Sequence, residues 1–202
     1  MPEDIPCIRA AGISAVANTN EYFRLTHVPL CAETMTLEDL TRCIHRSRMS
    51  EHPLEWRNIE QELESEDSYN FCFKLTTVDE EHPNWAGRPQ GGCACSWNNF
   101  NRIVSIDMIQ NFDTEDGPLD GRMMVFSLVS LMFFLESVGG AGVQINQPVN
   151  DQVRDYYIHI LGFTDISDDG SILYRSYEDL IDWLRLMDQG NVFVPATEEE
   201  TE

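Results

Sequence analysis

Residues 117–163 read GPLDGRMMVFSLVSLMFFLESVGGAGVQINQPVNDQVRDYYIHILGF, and the order of elements inside this stretch decides the fold. A Gly/Pro/Asp turn opens it. The run that follows is apolar on almost every side apart from Ser127 and Ser130, which predicts a helix over 122–137 that is buried all round. Gly139-Gly140 ends that helix, residues 141–145 form a short strand, and after Gln147-Pro148 a second helix runs to Leu161-Gly162-Phe163. Where a helix starts beside a strand end, free backbone N–H groups and the positive end of the helix dipole make a natural anion site.

Upstream of this stretch the sequence reads as strands. Residues 69–78 and 91–97 are rich in aromatic and small apolar residues, and 102–112 (RIVSIDMIQNF) alternates Val104, Ile106 and Met108 against Ile103, Ser105, Asp107 and Ile109. Residues 79–90 form a polar, Pro- and Gly-containing connection, and Asn98-Asn99 a turn. Earlier still, Thr36 followed by Asp39 approximates a capping box, with Leu37, Leu40 and Ile44 on one face of a helix to about Arg48. A second helix is expected over 54–63 with Trp56, Ile59 and Leu63 inward, and residues 7–10 as a first strand. Beyond the central stretch, 171–175 predicts a last strand and 177–187 an amphipathic helix. The all-apolar helix needs a cover on its outer side, from the C-terminal helix or from a second subunit in a homodimer.

With 202 residues and 42% hydrophobic content, one domain over 1–195 is the natural expectation, followed by a disordered acidic tail at 196–202. Thirty-five acidic residues face thirteen basic ones, for a net charge of −22, and Lys74 is the only lysine. Such a surface repels nucleic acid and anionic membranes and attracts a cationic small molecule or a basic protein. No apolar run is long enough to span a bilayer and none follows a basic flank at the N-terminus, so a cytoplasmic location is expected. The six scattered cysteines read as reduced core thiols; Cys93 and Cys95 share a strand face but lack further ligands, and no metal is expected. Arg42, His45, Arg46 and Arg48 form a basic cluster that either balances a helix C-terminus or contacts an acidic group.

The ending N-x-x-V-x-x-Y-Y-x-x-x-L-G-F, carried by Asn150, Val153, Tyr156, Tyr157, Gly162 and Phe163, resembles the second acetyl-CoA motif of the GCN5-related N-acetyltransferase (GNAT) superfamily, with one residue more than usual between Tyr157 and Gly162. In the first motif Gly117 and Gly121 fit, Leu119 replaces the central glycine, and Asp116 stands where a basic residue or Gln is usual. The resemblance implies an α/β (α+β) acyl-CoA N-acyltransferase fold: a mixed, mostly antiparallel sheet with helices on both faces, splitting into a V between its two central strands. It implies acetyl-CoA held there, with Ile109 and Gln110 on the pantetheine strand and Gly117, Gly121, Arg122 and Asn150 around the phosphates. It points to Asp107 as base and to Tyr157, or Tyr156, as acid.

Each assignment has a plainer counterpart. Asp107 facing inward pairs with an arginine, the two tyrosines pack as core and rim, and Asn150 caps its helix. Four acidic residues, Asp113, Glu115, Asp116 and Asp120, surround the phosphate loop with Arg122 as the nearby compensation. Two functions follow. One is an N-acyltransferase that acetylates a cationic amine such as a polyamine, a small amine or a basic peptide. The other is a non-catalytic protein of the same fold that regulates or inhibits a partner through its acidic surface, as antizyme does or as a nucleic-acid mimic would.

Overall fold

The computed structural model describes residues 5–50, 52–59, 70–77, 87–112 and 117–188. In chain order the elements are α1 (Ile5–Leu25), β1 (Leu30–Thr34), α2 (Leu37–Ser47), a 3₁₀ turn η1 (Trp56–Ile59), β2 (Asn70–Thr77), β3 (Gly91–Asn98), β4 (Ile103–Asn111), α3 (Met123–Val138), β5 (Gly142–Asn146), α4 (Asp151–His159), β6 (Thr164–Asp165), β7 (Ile172–Ser176) and α5 (Tyr177–Asp188). The seven strands form one sheet in the order β1-β2-β3-β4-β5-β7-β6. All pairings are antiparallel except β4 with β5. The predicted tail lies outside the described residues, as do Leu63 and the acids at 113–116. No described helix is long and apolar enough to cross a membrane.

The first strand expected at 7–10 is instead part of α1. Its buried residues Ile8, Ala11, Ala15, Thr19 and Phe23 recur every three or four positions, the helical period. Most are small, because α1 lies directly on α3. Thr19 Oγ1 donates to Ala15 O at 2.8 Å and contacts Ser130 Oγ at 3.2 Å, and Phe23 meets Phe126 edge-on at 5.5 Å. The cover that α3 requires is therefore internal, and it comes mainly from the N-terminal helix. Asn20, also on α1, receives the Ala32 N–H at 2.7 Å and donates to Ala32 O at 2.9 Å. One side chain thus occupies the open edge of β1, where an unpaired strand invites association.

On the opposite face α2 and η1 cover the sheet. The Thr36–Asp39 capping box forms as the sequence predicts, while Leu37 is exposed; the buried face is Asp39, Leu40, Cys43 and Ser47. Asp39 also meets Lys74, which bonds Asp39 and Glu33, both at 2.9 Å, and Gly87 O at 2.8 Å. Burial favours neutral Asp39, but hydrogen bonds from Lys74 and Thr36 outweigh it and hold the carboxyl below its ordinary value. Burial likewise opposes charge on Lys74, and its two carboxylates raise it above the ordinary lysine range. In the basic cluster Arg42 pairs with Glu38, and Arg46 donates to Pro89 O and Phe112 O.

Gly91 and Gly92 admit large side chains on the two faces of β3: Met123 and Leu119 on one, Trp56 and Met35 on the other. A Cβ at Gly92 would lie 2.9 Å from Trp56 Cη2 in a ring that is 1% exposed. Gly92→Ala is therefore expected to lower stability by about 1–3 kcal/mol in denaturant titration.

The Lys74 network gives a second expectation. Asp39, depressed in the fold, stabilises above its unfolded value near pH 3.8 and loses that contribution as pH falls through the folded value. Lys74, raised in the fold, stabilises fully below 10.5 and loses that contribution as pH rises through the folded value. Lys74→Met should cost about 3–5 kcal/mol at neutral pH, because it takes the nearest cation from buried Asp39 and leaves it Thr36 and the more distant Arg42. Chemical denaturation of both proteins across pH should show that difference narrowing in acid.

Candidate active site

Strands β4 and β5 pair in parallel only from Ile103 with Gly142 to Ile106 with Ile145. β5 then pairs Asn146 with Ile172 of β7 and turns away through Gln147, at φ +50°, and Pro148. β4 continues to Asn111, held by β3 on one side and, among the described residues, by no strand on the other. The register of β3 against β4 shifts between Ala94 and Cys95, so Asp107 is the extra residue of a β-bulge. Val104 and Ile106 face α3; after the bulge Ile109 faces α3, and Met108 and Phe112 face α2. The uniform alternation expected along β4 is thus broken at Asp107, which is exposed rather than inward-facing. The adjacent apolar pair Met108-Ile109 is the signal of that switch.

The sheet therefore opens into a V at this end, and the predicted residues can be placed around it. The chain from Gly117 to Arg122 makes two tight turns, with Asp120 N donating to Gly117 O and Arg122 N to Leu119 O, both at 3.0 Å. Gly121 is left-handed at φ +62°, which favours glycine. Leu119 is fully buried against Gly91 and Met123, so its side chain leaves the loop's outer face as backbone. Leu119 stands where the motif has its central glycine, yet it brings no side chain to that face. Arg122 begins α3 without a side-chain cap, and the N–H groups of its first turn point out of the helix end.

Across the opening, α4 begins at Asn150, whose Oδ1 accepts the Val153 N–H at 2.8 Å. Tyr156 reaches back and donates its hydroxyl to Gly121 O at 3.3 Å. Tyr157 is 8% exposed, its ring against Phe163. Burial first, then Tyr156 and Cys93, push its hydroxyl well above the usual tyrosine range. Of the two tyrosines, one meets the loop and the other belongs to the core wall. The extra residue before Gly162 is absorbed in a wide helix end, where Leu161 N bonds Tyr156 O at 3.2 Å and Phe163 N bonds Tyr157 O at 3.0 Å. Gly162, at φ +67°, packs over Arg175, which donates to Leu161 O and lies 5.2 Å from the Trp183 ring.

One feature was not anticipated from the sequence. Gln110 turns its side chain to the α2 face, where it holds Trp56, Ser50 and His52. Cys93 and Cys95 place their sulfurs 3.5 Å apart on the α3 face of β3. Burial pushes the Cys95 thiol well up, so it stays protonated and unreactive at neutral pH. The described cysteines are free, and the described residues contain no group of three or more metal-ligating side chains.

A mixed seven-stranded sheet that parts between β4 and β5, with a long helix starting at the opening, decides the fold. The fold is that of the GCN5-related N-acetyltransferases. Among solved structures, a GNAT-family acetyltransferase from Staphylococcus aureus Mu50 matches with a TM-score of 0.55 at 11% identity, over 73% of this chain and 99% of that one. A chimera of the spermidine N-acetyltransferase SpeG, from Vibrio cholerae and hSSAT, matches with 0.55 at 12% identity, over 76% and 99%. AtaTR bound with acetyl-CoA matches with 0.52 at 15% identity, over 77% and 98%. At these identities the likeness is one of fold. No protein-family model matches the sequence, and neither does any curated protein.

The cap on α4 fixes where a GNAT-like second motif begins. Asn150→Ala is expected to lower stability by about 1 kcal/mol in a thermal melt.

Proposed function

We propose that this chain is an N-acetyltransferase that uses acetyl-CoA to acetylate a cationic amine. The observation that carries the reading is the split, where β4 loses its second neighbour at Asp107 and the α3 loop and α4 meet across the mouth through Tyr156 and Gly121. Bare backbone at Gly117 and Gly121, the uncapped start of α3 and exposed Arg122 suit a pyrophosphate. The edge of β4 beyond the bulge, at Ile109 and Gln110, borders the gap, where pantetheine amides would complete the strand edge, and Asn150 lies at the adjoining helix start. Acetyl-CoA, when bound, supplies a thioester acyl group.

The chain's part is proton transfer and orientation. An ammonium has no lone pair, so Asp107, exposed at the bulge, takes a proton from the amine directly or through water. The neutral amine would then replace the thiolate at the acyl carbon, its second proton leaving to water, while Tyr157 would donate a hydrogen bond to the departing sulfur. Two of the structural neighbours are acetyltransferases by description, one of them acting on spermidine, and a third was solved with acetyl-CoA. The net charge of −22 concentrates cationic acceptors near the site.

A second reading is favoured by one observation: Asp120 is exposed on the loop where phosphates would rest. Like charges at close range cost about a kcal/mol each at surface-like dielectric. A loop that rejects the cofactor would leave a non-catalytic GNAT fold that binds a basic protein.

Titration calorimetry with acetyl-CoA, followed by turnover assays with spermidine and with a lysine-rich peptide, separates the two. Binding in the micromolar range, weakened about tenfold by Arg122→Ala, is expected. Asp107→Asn should lower kcat by about 10²–10⁴ while acetyl-CoA still binds. Absence of binding at millimolar acetyl-CoA would overturn the enzyme reading.

A further inference from the structure

Along α4 only Tyr157 is buried; its other residues are half-buried or exposed. A helix with so little of itself in the core takes its direction from its ends. Asn150 fixes the first turn through the Val153 N–H. The other end is wide: Ile160 N and Leu161 N both bond Tyr156 O, at 3.0 and 3.2 Å, and Phe163 N bonds Tyr157 O at 3.0 Å. A helix end leaves carbonyls without helical partners. Just beyond this one, the carbonyl of Leu161 accepts from Arg175 of β7. Arg175 also donates to Asp179 O at 3.2 Å, and its guanidinium lies 5.2 Å from the Trp183 ring. Gly162, at φ +67°, passes over it; a Cβ there would lie 3.5 Å from Arg175 Cζ.

Arg175 is a costly residue to keep there. It is 8% exposed, and burial draws its guanidinium below the ordinary arginine value against the pull of Asp179. Its hydrogen-bond partners among the described residues are carbonyl oxygens rather than a carboxylate, and its Nε has none among them. Such a charge is expensive to bury, so what it holds must matter. A cation at the C-terminal end of α4 also meets the negative end of the helix dipole. The clamped segment leads straight to the buried tyrosine, because Phe163 follows Gly162 and bonds Tyr157 through its N–H, with the two rings 6.2 Å apart. We infer that Arg175 is a positioning residue for Tyr157: holding the end of α4 from β7, it sets the direction in which Tyr157 presents its hydroxyl. This rests on the acetyltransferase reading above, in which that hydroxyl meets the departing sulfur.

The test uses the full chain, acetyl-CoA, and whichever probe amine, spermidine or the lysine-rich peptide, is turned over faster. Arg175→Met keeps an apolar stem beside Trp183 and removes both carbonyl bonds. Arg175→Lys keeps the charge without the fork that holds both. Arg175→Met is expected to lower kcat about tenfold, with the acetyl-CoA Kd and amine KM within about twofold of the parent. Arg175→Lys should lower kcat about threefold. Because the residue acts through Tyr157, neither change should lower kcat further in a Tyr157→Phe background. A second readout needs no turnover. With fluorotyrosine at all six tyrosines, the fluorine resonance that Tyr157→Phe removes should move in Arg175→Met, while that of Tyr22 on α1, assigned the same way, stays in place. An equal fall in kcat with and without the Tyr157 hydroxyl would overturn the inference and leave the enzyme reading standing. So would an acetyl-CoA Kd that moves as far as kcat, or a Tyr157 resonance that does not move. If Arg175→Met does not fold, the same measurements on Arg175→Lys decide. A parent protein that neither binds acetyl-CoA nor turns over either amine fails the enzyme reading, and the inference falls with it.

Discussion

The structure depends on a failure of pairing. Two neighbouring parallel strands hold together for four residue pairs, from Ile103 with Gly142 to Ile106 with Ile145, and then part. The reasons are local on both sides. The bulge at Asp107 inserts a residue and twists β4, while Gln147 and Pro148 take the chain after β5 into a turn that cannot continue a ladder. A sheet interior that opens this way leaves strand edge with backbone groups that must find partners. A ligand with amides of its own is one solution, which is why an opening of this kind reads as a binding site rather than a flaw.

Keeping the opening in place demands rigid walls. α3 supplies one, and it can be apolar all round because β-strands cover one side and α1 and α5 the other. Close approach of α1 to α3 requires small residues, and Ala11, Ala15, Thr19, Ser127 and Ser130 provide them. The α2 wall is polar where the α3 wall is apolar. Asp39, Lys74 and Glu33 tie α2 to β1 and β2, and Gln110 ties the following chain to β4. A highly acidic protein thus places its one lysine inside, where two carboxylates need it more than the surface does.

The legible parts of the sequence were those with strong periods or strict backbone demands. Apolar alternation located β2 to β4, the all-apolar run located α3, and glycines at φ +62° and +67° marked the ends that the motifs predicted. α1 was misread because its buried stripe is built of alanine and threonine, whose weak hydrophobic signal hides a helical period that Ile8 and Phe23 bracket. The direction of Leu119 was hidden for another reason. Whether a loop side chain faces in or out depends on what lies opposite, and the partner space at Gly91 is contributed by a residue 28 positions earlier. The commitment of Gln110 to Trp56 is equally non-local, and no spacing rule exposes it.

The two tyrosines show how burial assigns work within the proposed reaction. A tyrosine hydroxyl ordinarily titrates near 10, a thiol near 8.5. Burial raises Tyr157 further, so it stays protonated at neutral pH. Passing that proton fully to a thiolate is uphill, so Tyr157 serves best as a donor whose hydrogen bond strengthens while charge builds on sulfur, where water is excluded. It adds no titration near neutrality. On that reading, proton removal from the amine falls to the exposed side of the bulge, where Asp107 lies. The buried side of the split would fix geometry and charge, and the exposed side would exchange protons with solvent.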